Sequence, residues 1–379
     1  MWQEAAKYCL FVQKDNCNMT NFEKWDKEFR SQNLFAFNND DNALLWLKVR
    51  AVCRGKQIGQ FCHENNITLV SKGIARQNME LFERLEQEDN AIRLLDDFLR
   101  VKTNNWYDAM GIDNTQLKED LYKIQHYAWG GDHNNSLDKH LVSRYVKVVS
   151  HYDELQKRQG EIALNAWNYV QTSWYNNWTS YLIESLFKRH HKVVAAVGEI
   201  KSVDFFIGKY PIDLKVTYFP NQFMEQQLRK RLGASEISWL RKKAKEISIT
   251  ADSTQSVSQQ LYTLTEKLSE SGFESILDEM KKNRKEVIDE AQKNPVELMK
   301  WLYENQGEMR FGAENRLFMI LVDSNDMSNS WKMKRAFNLI EPKVKTYLDS
   351  FNDCSLKRIN FTYKKNEYKS LADTIFIVK

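Results

Sequence analysis

Between residues 192 and 217 three runs of strand-forming residues follow one another, KVVAAVGEI, SVDFFIG and PIDLKVT, in a chain whose flanking segments are patterned for helix. Consecutive short strands need a sheet, and a sheet between helical segments belongs to the α/β or α+β classes. Pro211 and Pro220 bracket the third run. Strands buried on both faces are usually continuous apolar runs. These runs instead carry Asp204, Asp213 and Lys215. Charged side chains are seldom buried unless paired or bound to metal, so these three require an explanation.

Residues 1 to about 150 place apolar side chains at three- and four-residue spacing, in NALLWLKVRAV, NMELFERLEQEDNAIRLLDDFLRV and LVSRYVKVVSHYDELQ. Asn/Asp-rich breaks, NNDDN and GGDHNNS, separate them. Residues 161–189 predict one long helix with Trp167, Trp174 and Trp178 on a core-facing side. Residues 221–310 return to helix, with breaks at Gly233 and Pro295. RLFMILVD (316–323) predicts a buried strand, SWKMKRAFNLIEPKVKTYLDSF a helix, and RINFTYKK and ADTIFIV two closing strands. The expected architecture is a helical N-terminal region, 1–155, followed by an α/β domain, 156–379.

Composition removes several classes of function. The 42% hydrophobic content supplies a core, and four prolines and 13 glycines leave little room for linkers. Five cysteines without a CxxC pair indicate neither a disulfide framework nor a zinc site and fit a reducing cytosol. A signal-peptide pattern and an 18-residue apolar run are both missing, so a soluble protein without membrane partners is expected. The chain has no GK[ST] phosphate loop, HExxH or GxSxG, and its histidines lack metal-site spacing. A net charge of +4 permits nucleic-acid binding without requiring it. Basic clusters occur at Arg229–Arg231, at Arg241, Lys242, Lys243 and Lys245, and at Lys281, Lys282, Arg284 and Lys285; the last reads as a solvated helix face.

Alternation along the third run turns Ile212, Leu214 and Val216 to one face and Asp213, Lys215 and Thr217 to the other. A hairpin turning near Gly208-Lys209-Tyr210 brings Asp204 beside Asp213. Two carboxylates on a rigid sheet suit Mg²⁺, which keeps several waters and takes only one or two carboxylates. Lys215 on the same face would stand near a metal-bound water or a charged phosphate.

Asp204 followed by Asp213-Leu214-Lys215 resembles the PD-(D/E)xK nuclease superfamily, the restriction-endonuclease-like fold. The order helix, strand, strand with Asp, strand with Asp-x-Lys, helix, strand extends over roughly residues 165 to 325, with Val203 where the superfamily often has proline. The resemblance implies a mixed central sheet flanked by helices, with Glu184 of the preceding helix joining Asp204, Asp213 and Lys215 as catalytic residues. It implies Mg²⁺, replaceable by Mn²⁺, held by Asp204, Asp213, Glu184 and the Leu214 carbonyl. Glu199 is a further carboxylate nearby, read as solvent-facing.

The implied activity is Mg²⁺-dependent hydrolysis of DNA phosphodiesters, most specifically by a type II restriction enzyme cutting double-stranded DNA. It would act as a homodimer in a prokaryotic cytoplasm, alongside a separate DNA methyltransferase. Structure-specific or anti-phage nuclease subunits, and a catalytically silent DNA-binding protein of the same fold, remain alternatives. Expected DNA contacts are Thr217, Gln222, Arg229 and Lys230. The segment 55–77, with an Asn65-Asn66 turn, reads as a helix-turn-helix presenting Ser71, Lys72 and Arg76, which would give the N-terminal region a role in DNA contact or dimerisation.

Overall fold

The computed structural model describes residues 19–52, 55–127, 136–196, 202–307 and 311–379. Among the described residues, nine α-helices lead into the sheet: α1 (Asn21–Arg30), α2 (Asp41–Ala51), α3 (Gly55–Glu64), α4 (Ile74–Leu85), α5 (Ala91–Ala109), α6 (Asn114–Leu121), α7 (Leu137–Leu141), α8 (Tyr152–Lys157) and the 30-residue α9 (Gln159–Lys188). Strands β1 (Val193–Ala195), β2 (Phe205–Ile207) and β3 (Tyr210–Tyr218) follow. Helices α10 (Asn221–Leu232), α11 (Glu236–Glu246), α12 (Val257–Glu270), α13 (Glu274–Lys293) and α14 (Val296–Glu304) then lead to β4 (Arg316–Val322). Helix α15 (Phe337–Ser350), β5 (Lys357–Tyr363) and β6 (Asn366–Val378) complete the fold.

Local chemistry accounts for many of these boundaries. Thr20 and Glu23 form a reciprocal capping box at α1, Asp40 accepts two backbone N–H groups at α2, and Ser256 with Gln259 caps α12. Gly233 ends α10 at φ 67°, a left-handed conformation that favours glycine, and Pro295 immediately precedes α14.

The six strands form one mixed sheet in the order β1–β2–β3–β4–β6–β5. The first three are an antiparallel meander, β3 and β4 are parallel, β4 and β6 are parallel, and β5 closes antiparallel on β6. A parallel β3–β4 pair cannot be joined by a hairpin; helices α10–α14 form the crossover. Every residue of β4 is buried. Its Leu317, Met319 and Leu321 pack with Tyr175, Leu182 and Phe187 of α9 and with Ile340 of α15. Its Phe318, Ile320 and Val322 face Phe223 and Leu228 of α10 and Tyr303 of α14. The sheet therefore lies between two helical layers.

The N-terminal helices share a core with this sheet: Leu45, Trp46, Phe82 and Phe98 cluster with Val194, Val203 and Phe206 from the β1–β2 region. Buried Lys48 pairs with Asp96 and lies 4.8 Å from the Phe206 ring centroid. Leu117 and Leu121 of α6 join the core around α9. Buried contacts thus run between the two sides of the expected boundary near residue 155.

Two local expectations are revised, and a third falls partly outside the described residues. Trp167 is 60% exposed, because α9 buries Thr172, Tyr175, Thr179, Leu182 and Phe187 while Trp174 and Trp178 only flank that face. The described part of the first strand is Val193–Ala195, and Glu199 lies outside the described residues. Asn66 adopts φ 54°, but α4 begins only at Ile74. The connection after Glu64 is therefore too long for the three- to four-residue turn of a helix-turn-helix. Lys72 and Arg76 are exposed around the start of α4, while the Ser71 N–H donates to Glu80.

Candidate functional site

The two aspartates meet where β3 parts from β2 and joins β4. The last β2–β3 pair is Phe205 with Ile212, so the next position along the register sets Asp204 opposite Asp213. There the ladder opens. The Asp213 N–H donates to the Asn315 carbonyl at 2.9 Å, and the Leu214 N–H donates to Asp204 Oδ2 at 2.8 Å. Asp204 is held on both sides through its backbone, donating to the Ile212 carbonyl (2.8 Å) and accepting from the Ala196 N–H (3.1 Å).

The expected alternation is present. Ile212 and Leu214 are in the α9-side core with Val216 packed against it, whereas Lys215 Nζ reaches Asp213 Oδ1 at 2.9 Å. Asp213 is buried and Lys215 is half exposed. Burial pushes the Asp213 carboxyl up to about 6; Asp204 adds to the rise, and Lys215 and Arg316 oppose it. Burial also raises Asp204, helped by the nearby Glu184 charge and opposed by the Leu214 N–H, Lys188 and Lys215. Glu184 is therefore close enough to act on Asp204, but its own carboxylate pairs with Lys188 one turn along α9, at 2.6 Å.

Arg316, Glu314 and Asn315 had no part in the sequence reading. Buried Arg316 lies across the β3–β4 register from Asp213, its Nε 3.3 Å from Asp213 Oδ2. It donates to Gln306 at 2.6 Å and to Glu314 at 3.1 Å, and it lies over the Tyr303 ring at 5.0 Å. Asn315 is an anchor: its side chain donates to Asn38 and to the Pro211 carbonyl (3.0 Å) and accepts from the Leu371 N–H (3.2 Å). One buried amide thus ties β3, β4, β6 and the N-terminal region together beside Asp213. The only sequence signal for this group was a charged residue opening an otherwise apolar strand.

Lys215 and Arg316 open into a cleft of about 720 Å³, whose lining also includes Thr217, Asn221, Trp301 and Trp331. It extends towards the carboxyl ends of parallel β3 and β4, where open α/β sheets commonly bind ligands. Of the expected DNA contacts, Thr217 lines this cleft and Gln222 is exposed in the first turn of α10. Exposed Arg229 pairs with Glu225 (3.1 Å) and exposed Lys230 with Glu297 (2.5 Å). Arg231 pairs with Glu286 and Glu290, and one member of each neighbouring cluster is tied, Lys243 to Glu279 and Arg284 to Glu236.

Among the described residues, no three of His, Cys, Asp and Glu gather as a metal-binding group. Glu184, paired with Lys188, is thus not gathered with Asp204 and Asp213 into such a group. Asp213 Oδ2 is buried and accepts no hydrogen bond, its charge met only by the Arg316 Nε contact at 3.3 Å, beside the second, raised carboxyl of Asp204. Cys62 is buried and Cys354 exposed, both as free thiols; Cys9, Cys17 and Cys53 lie outside the described residues. No described helix is long and apolar enough to cross a membrane. The chain is a mixed α/β protein with a helical N-terminal region and a six-stranded sheet, and no protein-family model, curated protein or solved structure matches it.

Proposed function

We propose that the chain is a divalent-metal-dependent DNA endonuclease. The observation that carries this reading is the facing pair Asp204 and Asp213, both pushed towards the protonated form, with Lys215 bonded to Asp213 at the wall of the cleft. Two like charges in a desolvated site favour a cation between them. The succession of α9, an antiparallel meander, a helical crossover and a parallel fourth strand supports the resemblance.

Asp204 and Asp213 would hold Mg²⁺ or Mn²⁺, with the Leu214 carbonyl as a further oxygen. The ion supplies Lewis-acid charge and a water of lowered pKa. Lys215 then neutralises charge on a phosphate oxygen or takes a proton, and buried Arg316 fixes the orientation of Asp213. Thr217 and Asn221, which line the cleft, would meet backbone phosphates.

The test is incubation of the purified chain with unmethylated plasmid in Mg²⁺ or Mn²⁺, with Asp204→Asn as control. Cleavage by wild type and none by the variant is expected; equal cleavage by both removes the assignment. Discrete bands favour a dimeric type II restriction enzyme with a partner methyltransferase, whereas preference for branched DNA favours a structure-specific or defence nuclease. A second reading rests on the 2.9 Å Lys215–Asp213 contact and on Arg316 beside it: a structural ion cluster in a catalytically silent DNA-binding protein.

A further inference from the structure

A second cavity, of about 320 Å³, adjoins the candidate site. Its lining includes Gln57 of α3, Trp106 and Tyr107 of α5, Tyr181 and Glu184 of α9, and Ala196. Ala196 is the residue whose N–H holds the Asp204 carbonyl, so cavity and site share a wall. The three aromatic rings are mutual neighbours, with centroids 4.8 Å apart for Trp106–Tyr107, 5.5 Å for Tyr107–Tyr181 and 6.1 Å for Trp106–Tyr181.

The wall is not purely apolar. Gln57 Oε1 is buried without a hydrogen-bond partner, a cost normally avoided in a finished core. Glu184 and Lys188, paired at 2.6 Å, set an acceptor and a donor side by side on the lining. Cavities that remain empty are characteristically apolar, and this one has an unmet acceptor. A cationic guest is disfavoured because Arg189 already lies over the Tyr107 ring at 5.0 Å and Lys188 already neutralises Glu184. A free anion would leave the Gln57 acceptor unmet. A flat heteroaromatic ring with an amide-like edge satisfies both the stacking surface and the polar groups.

We propose that this cavity receives a single nucleobase, turned out of the stack of a nucleic acid whose backbone lies at Asp204 and Asp213. The position of the backbone rests on the endonuclease reading; occupancy of the cavity by a base does not. Substrates with unpaired or easily unstacked nucleotides beside the cut would then be preferred, since extruding a base costs least there.

The experiment is ligand-observed NMR of the full chain in chelator, titrated with nucleoside 5′-monophosphates and, in parallel, ribose 5-phosphate. The nucleotides should bind and ribose 5-phosphate should not. Trp106→Ala and Tyr181→Ala should each weaken nucleotide binding about tenfold or more, the scale of losing one stacking surface. Trp106 is half exposed, so its variant should melt like wild type. Equal binding of nucleotide and ribose phosphate, or unchanged affinity in both variants, would overturn the proposal. DNA cleavage without base binding removes the pocket and keeps the nuclease; base binding without cleavage in either metal does the reverse.

Discussion

Replacing Asp213 with asparagine separates a metal-binding carboxylate from a structural ion pair. Asparagine is the uncharged isostere, so the variant resembles wild type with Asp213 protonated. In the folded chain burial raises this carboxyl from 3.8 to about 6. Stability associated with the raised value is fully present below the unfolded pKa and is lost as pH rises through about 6. Each tenfold change in proton affinity is worth about 1.4 kcal/mol, so the rise from 3.8 to about 6 costs the folded chain about 3 kcal/mol once the carboxyl is ionised, as it is at pH 8. With an unfolding entropy of about 2.1 cal/mol/K per residue, that is about 4 °C in melting temperature for a chain of this length. In chelator, Asp213→Asn should therefore melt like wild type at pH 4 and about 4 °C higher at pH 8. Adding Mg²⁺ or Mn²⁺ should raise the melting temperature of wild type alone, because an ion bound only to the folded state stabilises it by mass action. Differential scanning calorimetry at the two pH values measures both effects. A variant that melts lower than wild type at pH 8 in chelator would refute the argument, showing that Lys215 and Arg316 make ionised Asp213 a net stabiliser.

Three further outcomes are expected. Lys215→Ala should cut DNA about a hundredfold more slowly in single-turnover assays while binding it normally in Ca²⁺, since an acid-base or electrostatic group acts mainly in the transition state; a normal rate with a lower melting temperature would mark a structural role. Asn315→Ala removes the side-chain bonds to Asn38, Pro211 and Leu371 and should cost about 3 kcal/mol in a urea titration, given the penalty for orphaned buried groups; an unchanged midpoint would remove its anchoring role. A fragment beginning near residue 155 should aggregate or bind a hydrophobic dye, because it uncovers Val194, Val203 and Phe206; a soluble, cooperatively melting fragment would contradict the shared core.

Part of the site was legible because it depends on local periodicity. A two-residue spacing on a strand puts Asp213 and Lys215 on one face whatever surrounds them, and the nearby hairpin supplies Asp204. Glycine and proline likewise marked the ends of α10 and α14, as backbone preferences of single residues. The tryptophan stripe misled because spacing identifies a helix face without saying how far along the helix a partner extends; Trp167 lies beyond the buried part of α9.

By itself, then, the sequence determined which side chains share a face, where elements begin and end, and that three charges lie in strand-forming runs. Tertiary structure decided which charges meet. Arg316 reaches Asp213 only because β3 chose β4 as its parallel neighbour after a crossover of five helices. Lys230, expected to meet phosphate, pairs with Glu297 of α14, 67 residues away in sequence. The physical reason is that pairing and desolvation depend on three-dimensional distance and burial: residues remote in sequence neutralise a charge at contact and leave it bare a few ångströms farther away.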